Sequence, residues 1–120
     1  MIFTCLATGS DGNAYLLESD NAAIIIEAGA KTYKKIIVAI PEEKKLVGVI
    51  FSHQHSDHYG DVDKVAKISK EITFVDNRYE DEFFIVKRFS VWHNVECFGF
   101  AIFCKEIGRA SCRERVLRLV

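Results

Sequence analysis

Between positions 53 and 58 the chain places three histidines and an aspartate: His53, His55, Asp57 and His58, within the run SHQHSDHYGD (52–61). Side chains two apart in an extended segment point the same way, so His53 and His55 can reach one ion. Neutral imidazoles suit Zn²⁺, and also Fe, Ni or Cu. Asp57 and His58 add a carboxylate and another imidazole on the next turn of chain. That is more than one four-coordinate ion requires, so the spacing points to a pair of metals. Two metals a few ångströms apart can clamp a substrate oxygen, and metal-bound water ionises near pH ~7 instead of about 15.7. A nucleophile is then available without a Ser or Cys. The competing reading is a polar loop whose histidines face solvent, and four ligand-type residues in six positions weigh against it.

The elements that must position this loop are legible around it. KLVGVIFS (45–52) is an apolar strand that delivers the histidines at its C-terminal end. Upstream, MIFTCLA (1–7) is β-prone and TGSDGN (8–13) is a turn cluster in which Ser10, Asp11 and Asn13 are turn-formers first. AYLLES and AAIIIEAG read as two strands joined by the polar pair at 20–21, and Ile24 to Ile26 suit a strand buried on both faces. KTYKKIIVAI (31–40) places Tyr33, Ile36, Ile37 and Ile40 on one helical face, with Pro41 as a stop. GDVDKVAKISK (60–70) is helical with Val62, Val65 and Ala66 inward. EITFVD (71–76) reads as a strand, NRYEDEFF (77–84) as a polar loop or short helix, and IVKRFSVWHN with FGFAIFCK as a closing strand pair. Strands alternating with helices imply an α/β layer, a mixed sheet with helices on one face.

Composition sets few limits beyond that. The 120 residues are 49% hydrophobic and 28% charged, an ordinary globular balance, and the net charge of −1 gives no global pull toward nucleic acid or an anionic membrane. A local basic rim would still suffice for a nucleic-acid substrate. No apolar run approaches a membrane span, and the N-terminus has no signal-peptide pattern. Cys5, Cys97, Cys104 and Cys112 show no CxxC spacing, which reads as free thiols in a reducing cytoplasm. Cys97 and Cys104 read as buried fillers, Trp92, Phe98, Phe100 and Phe103 as core, and the charged runs at 42–45 and 80–82 as solvated faces.

HQHSDH matches the HxHxDH signature of the metallo-β-lactamase-fold hydrolases. The chain resembles that superfamily over about residues 1–105, through TGSDGN, then IIIEAG, then GVIFSHQHSDHYGD. The GSDGN turn is most similar to the branch of YycJ-type exonucleases and related phage hydrolases. The resemblance implies an αββα sandwich of which this chain supplies the N-terminal half. It assigns His53 and His55 to a first metal site, and Asp57, also the candidate catalytic residue, with His58 to a second. It implies His93 of VWHNVECFGFAI as the third ligand of the first site; taken alone, His93 reads as a strand-end histidine. The implied cofactor is zinc, two ions in a complete protein, with Mn²⁺ or Fe²⁺ as alternatives. Glu27 stands where such proteins usually carry a supporting Asp, and Asn94 where this branch commonly has one. The implied activity is metal-dependent hydrolysis of a phosphodiester, favouring a nucleic-acid substrate; a small ester, thioester or lactone is the other substrate class. A non-catalytic metal- or partner-binding half-domain is the alternative function.

The family supplies a further bridging aspartate and a final histidine, and no aspartate follows Asp81 and no histidine follows His93 here. The expectation is a truncated domain over 1–105 that lacks the C-terminal half of the fold and is inactive as it stands. EIGRASCRERV (106–116) breaks the β pattern and matches the translation of a widely used sequencing-library adapter, so 106–120 reads as a non-native tail. A half-sandwich is expected to leave one apolar sheet face uncovered and one edge open to aggregation.

Overall fold

Ile24, Ile25 and Ile26 are each at most 2% exposed because their strand is covered on both sides. That strand, β3 (Ala22–Ala28), follows β1 (Ile2–Ala7) and β2 (Ala14–Glu18) in an antiparallel meander, and then pairs in parallel with β4 (Lys45–Ile50). The sheet order is β1-β2-β3-β4. A parallel neighbour needs a crossover, and α1 (Tyr33–Ala39) provides it. After β4 come α2 (Ser56–Tyr59) and α3 (Val62–Ile68), then β5 (Arg78–Glu80), β6 (Phe84–Val91), β7 (Cys97–Cys104) and β8 (Arg115–Leu119). The computed structural model describes residues 1–10, 12–91 and 97–105, with the backbone of 115–119. Asp11, Trp92, His93, Asn94 and residues 106–114 lie outside the described residues.

Alternation along β2 and β3 sorts the core into two clusters. Leu16, Ala23 and Ile25 pack with Ile36, Val62 and Val65 of the helices. Leu17, Ile24 and Ile26 face the other way, onto Phe84, Val86, Phe100 and Ile102 of a second sheet with order β5-β6-β7-β8. Fully burying each such side chain stabilises the fold by about 1.5–3 kcal/mol. The result is a helix layer, a mixed sheet and an antiparallel sheet, which agrees with the expected α/β class.

Four local expectations differ from the structure. The apolar face expected to lie open is covered, because β5–β7 already build a second sheet against it. Residues 71–76 meet β4 at a Val49–Glu71 bridge and through Ile72, which lies against Gly48, then leave to reach that second sheet instead of continuing as a strand. Asp76 and Asn77 both have positive φ, the pattern of a two-residue hairpin turn, and the turn makes Arg78–Glu80 a strand rather than a loop or helix. Ile37 is 42% exposed: α1 is only seven residues long and turns Ile36 and Ile40 inward, not Ile37. Residues 115–119, inside the segment read as a non-native tail, pair antiparallel with β7.

Candidate metal centre

The C-terminal ends of the parallel pair β3 and β4 open onto the histidine loop, the place where open α/β sheets commonly hold ligands. His53 is 8% exposed. Its ring centroid lies 4.6 Å from that of His55 and 4.3 Å from that of His58. His58 Nε2 and Asp57 Oδ2 are 3.1 Å apart, so the two expected ligands of the second site face one another. His53, His55, Asp57 and His58 are therefore gathered at one place. His93 lies outside the described residues; Val91 and Cys97, which flank 92–96, pair in register, and Cys97 Sγ is 3.6 Å from His53 Nδ1.

The partners of these rings decide which nitrogen each can offer. His53 Nδ1 is hydrogen-bonded with Ser52 Oγ at 2.8 Å. His58 Nδ1 pairs with Glu27 Oε2. Both rings thus have Nδ1 engaged, so Nε2 is the atom each would turn toward an ion, and in His58 that atom faces Asp57 Oδ2. Glu27 is 5% exposed and also accepts from the Ser52 N–H at 2.5 Å. Burial pushes its carboxyl above the usual range, opposed by His58 and by the Ser52 hydrogen bonds. Its backbone is left-handed, φ 65°, a costly conformation for a residue with a Cβ. The Cys97 thiol is also pushed up, by burial and then by the charge of Glu27.

Main-chain contacts hold the loop itself. The Asp57 carbonyl accepts from Asn13 N at 2.7 Å and Asn13 Nδ2 at 3.0 Å. Ala30 N donates to Ser56 O, and Asp61 N to Ala28 O, both at 2.8 Å. Gly29 lies beneath: a Cβ there would sit 2.6 Å from the Asp57 carbonyl carbon and 2.7 Å from Asn13 N. Asp61 is buried and its Oδ2 accepts from Tyr33 N at 3.0 Å, tying α1 to the loop. Asn13, Ser52 and Asp61 were missed as positioning residues by sequence reasoning. Asn13 stands in a turn cluster and Asp61 closes the histidine run, and only long-range pairing gives them this role.

Two cavities flank the loop. One of about 440 Å³ is lined by His53, His55, Glu71, Phe74, Arg88 and Phe98 among others. The other, about 290 Å³, runs from Glu27 and His58 past Tyr15 to Phe100. The donor set of three imidazoles and a carboxylate, with partners already at two Nδ1 atoms, fits a divalent ion of the zinc class. Among the described residues, no three side chains already converge their donor atoms as a complete ligand group.

The profile of the metallo-beta-lactamase superfamily matches residues 7–88. The chain belongs to that superfamily. It is 32% identical over 69 residues to exodeoxyribonuclease WalJ of Streptococcus pneumoniae serotype 2 (strain D39), a match over 54% of this chain and 25% of that protein. The same protein from strain R6 matches equally. The chain thus spans about a quarter of the length of these curated relatives. Among solved structures, the metallo-beta-lactamase fold protein YhfI from Bacillus subtilis superposes with TM-score 0.67 at 20% identity, covering 83% of this chain and 57% of that one. Human tRNase Z, short form, superposes with TM-score 0.61 at 15% identity, covering 97% and 68%. Both share the fold. Metal-ion binding, typically of zinc, is general in the superfamily. Among the described residues no helix is long and apolar enough to cross a membrane.

Proposed function

We propose that this chain is the N-terminal part of a metal-dependent hydrolase that cleaves phosphodiester bonds of nucleic acid in the cytoplasm. The observation that carries the reading is the packing of His53, His55 and His58 at 4.3–4.6 Å beside Asp57, in a chain of this superfamily. The relatives' names supply the substrate class: an exodeoxyribonuclease by sequence and a tRNase by fold. His53 and His55 would hold a first ion with His93, and Asp57 with His58 a second. A bound divalent ion acidifies water to a pKa near ~7 and neutralises charge on the substrate. The chain's own residues orient and exclude. With Ser52 and Glu27 as the partners at Nδ1 of His53 and His58, both rings would present Nε2 to an ion in the tautomer whose Nδ1 proton these oxygens accept. Buried Glu27 ties the strand end to the loop through the Ser52 N–H. Residues 106–120 carry no part of this reading.

A second reading is a metal- or partner-binding half-domain without catalysis, favoured by the core the two sheets already form between Ile24, Phe84 and Ile102. Zinc bound per chain, measured by elemental analysis after gel filtration, tests the site. His55→Ala should bind less zinc than wild type, and unchanged stoichiometry would overturn the assignment. Nuclease activity in the full-length protein containing this chain separates the hydrolase from the binding half-domain.

A further inference from the structure

Phe84, Val86 and Arg88 alternate onto the face of β6 that meets the first sheet, and Arg88 stands opposite Phe100 in the register. A residue that only filled this interface would be apolar, as Phe84 and Val86 are. Instead a guanidinium lies there, 4.6 Å from the ring centroid of Phe74 and 4.4 Å from that of Phe98. Aromatic faces attract and orient a planar cation. Its Nε donates to Asn77 Oδ1 at 2.9 Å, and its backbone N donates to Asn77 O at the same distance. Asn77 is held in turn by the positive-φ hairpin with Asp76. The guanidinium is therefore fixed on its faces and at one edge. Among the described residues no carboxylate pairs with Arg88, and nothing accepts from its two terminal nitrogens. Arg88 lines the same 440 Å³ cavity as His53 and His55, a volume within the range of about 300–1,000 Å³ typical of ligand sites.

We propose that Arg88 is a substrate-binding residue: its terminal nitrogens grip a backbone phosphate of a single-stranded nucleic acid laid in the cavity beside the histidine loop. This rests on the nucleic-acid reading above and adds the residue that receives the strand. A planar fork matches two phosphate oxygens, and its fixed orientation reduces the entropy lost on binding. Glu71 lines the same cavity and opposes an anion, so the two charges make opposite predictions.

Fluorescence anisotropy of a short labelled single-stranded DNA, with metal chelated so that nothing is cleaved, tests this on the 120-residue chain. Arg88→Ala should weaken binding roughly tenfold, the scale of one charged hydrogen-bonded contact. The slope of log affinity against log salt should fall by about 0.7, the value for one phosphate contact on a single strand. Arg88→Lys should restore the slope but only part of the affinity, and Glu71→Gln should bind more tightly than wild type. Wild type that fails to bind, Arg88→Ala with unchanged affinity, or lost affinity with an unchanged salt slope would each overturn the proposal. Zinc stoichiometry, taken on separate chelator-free aliquots of the same proteins, keeps the two readings apart. A wild type that binds DNA through Arg88 and takes up no zinc sinks the hydrolase reading alone. Normal zinc uptake with an indifferent Arg88 sinks this one alone.

Discussion

Replacing Glu27 separates its electrostatic role from its structural one. The carboxylate accepts from Ser52 N and pairs with His58 Nδ1. Glu27→Gln keeps an oxygen for Ser52 but turns an amide N–H toward His58. Neutral His58 then accepts at Nδ1 and carries its proton on Nε2, the atom that faces Asp57 at 3.1 Å. A protonated Nε2 cannot bind an ion, so zinc affinity should fall by about 10–100-fold, the usual cost of losing such a partner. Folding stability should barely move. The exchange weakens two charge-assisted hydrogen bonds by about 1–1.5 kcal/mol each. It also removes a buried charge whose desolvation opposes folding, the effect that raises the Glu27 pKa. Glu27→Gly is the counterpart. It loses both bonds, about 3–6 kcal/mol together at 1.5–3 each, and releases about 1–2 kcal/mol of left-handed backbone strain. A net loss of about 1–5 kcal/mol follows from those two effects. Calorimetric zinc titration and urea unfolding of the metal-free proteins read the two quantities. Glu27→Gln with wild-type zinc affinity would refute the reasoning, as would Glu27→Gly with wild-type stability.

Two further substitutions test the supports of the site. Gly29→Ala places a methyl against the Asp57 carbonyl and Asn13 N, so it should destabilise by about 1–3 kcal/mol, the range for overpacking, and weaken zinc binding as well; a silent Gly29→Ala would mean the loop can shift freely. Glu80 is held down to about 2 by hydrogen bonds from Lys105 and then Arg78. Its folded pKa is depressed, so its stabilisation is complete above the ordinary value of 4.5 and is lost as pH falls through about 2. The stability gap between wild type and Glu80→Gln should be present at neutral pH and close in strong acid, and a gap that persists there would contradict the assignment.

The histidine loop was legible because its chemistry is concentrated in one stretch of chain, at the end of an apolar strand whose type was also plain. β2, β3 and α3 were legible from their apolar periods. Arg78–Glu80 was not, since its residues are polar and become a strand only through the Asp76–Asn77 turn and pairing with β6. The sequence marks β6 and β7 as a closing strand pair but not as the cover of the first sheet, because which faces meet depends on the crossing at 71–76. Arg88 gave no local signal at all: its rings, Phe74 and Phe98, and its acceptor, Asn77, lie between ten and fourteen residues away along the chain. Glu27 drew notice only as a departure from a family pattern, and its reach to His58 is a property of the fold.

The anchoring of the histidine loop through Asp57 O, Ser56 O and Asp61 N has a consequence for protein engineering. Main-chain atoms are the same whatever residue bears them, so the shape of the loop is written largely outside its own side chains. Gln54 and Ser56 alternate with the histidines and are exposed. Gln54 lines the cavity, so a library randomised at that position would redecorate its rim while the imidazoles stay on an unchanged frame, which makes 54 the natural place to retune what enters.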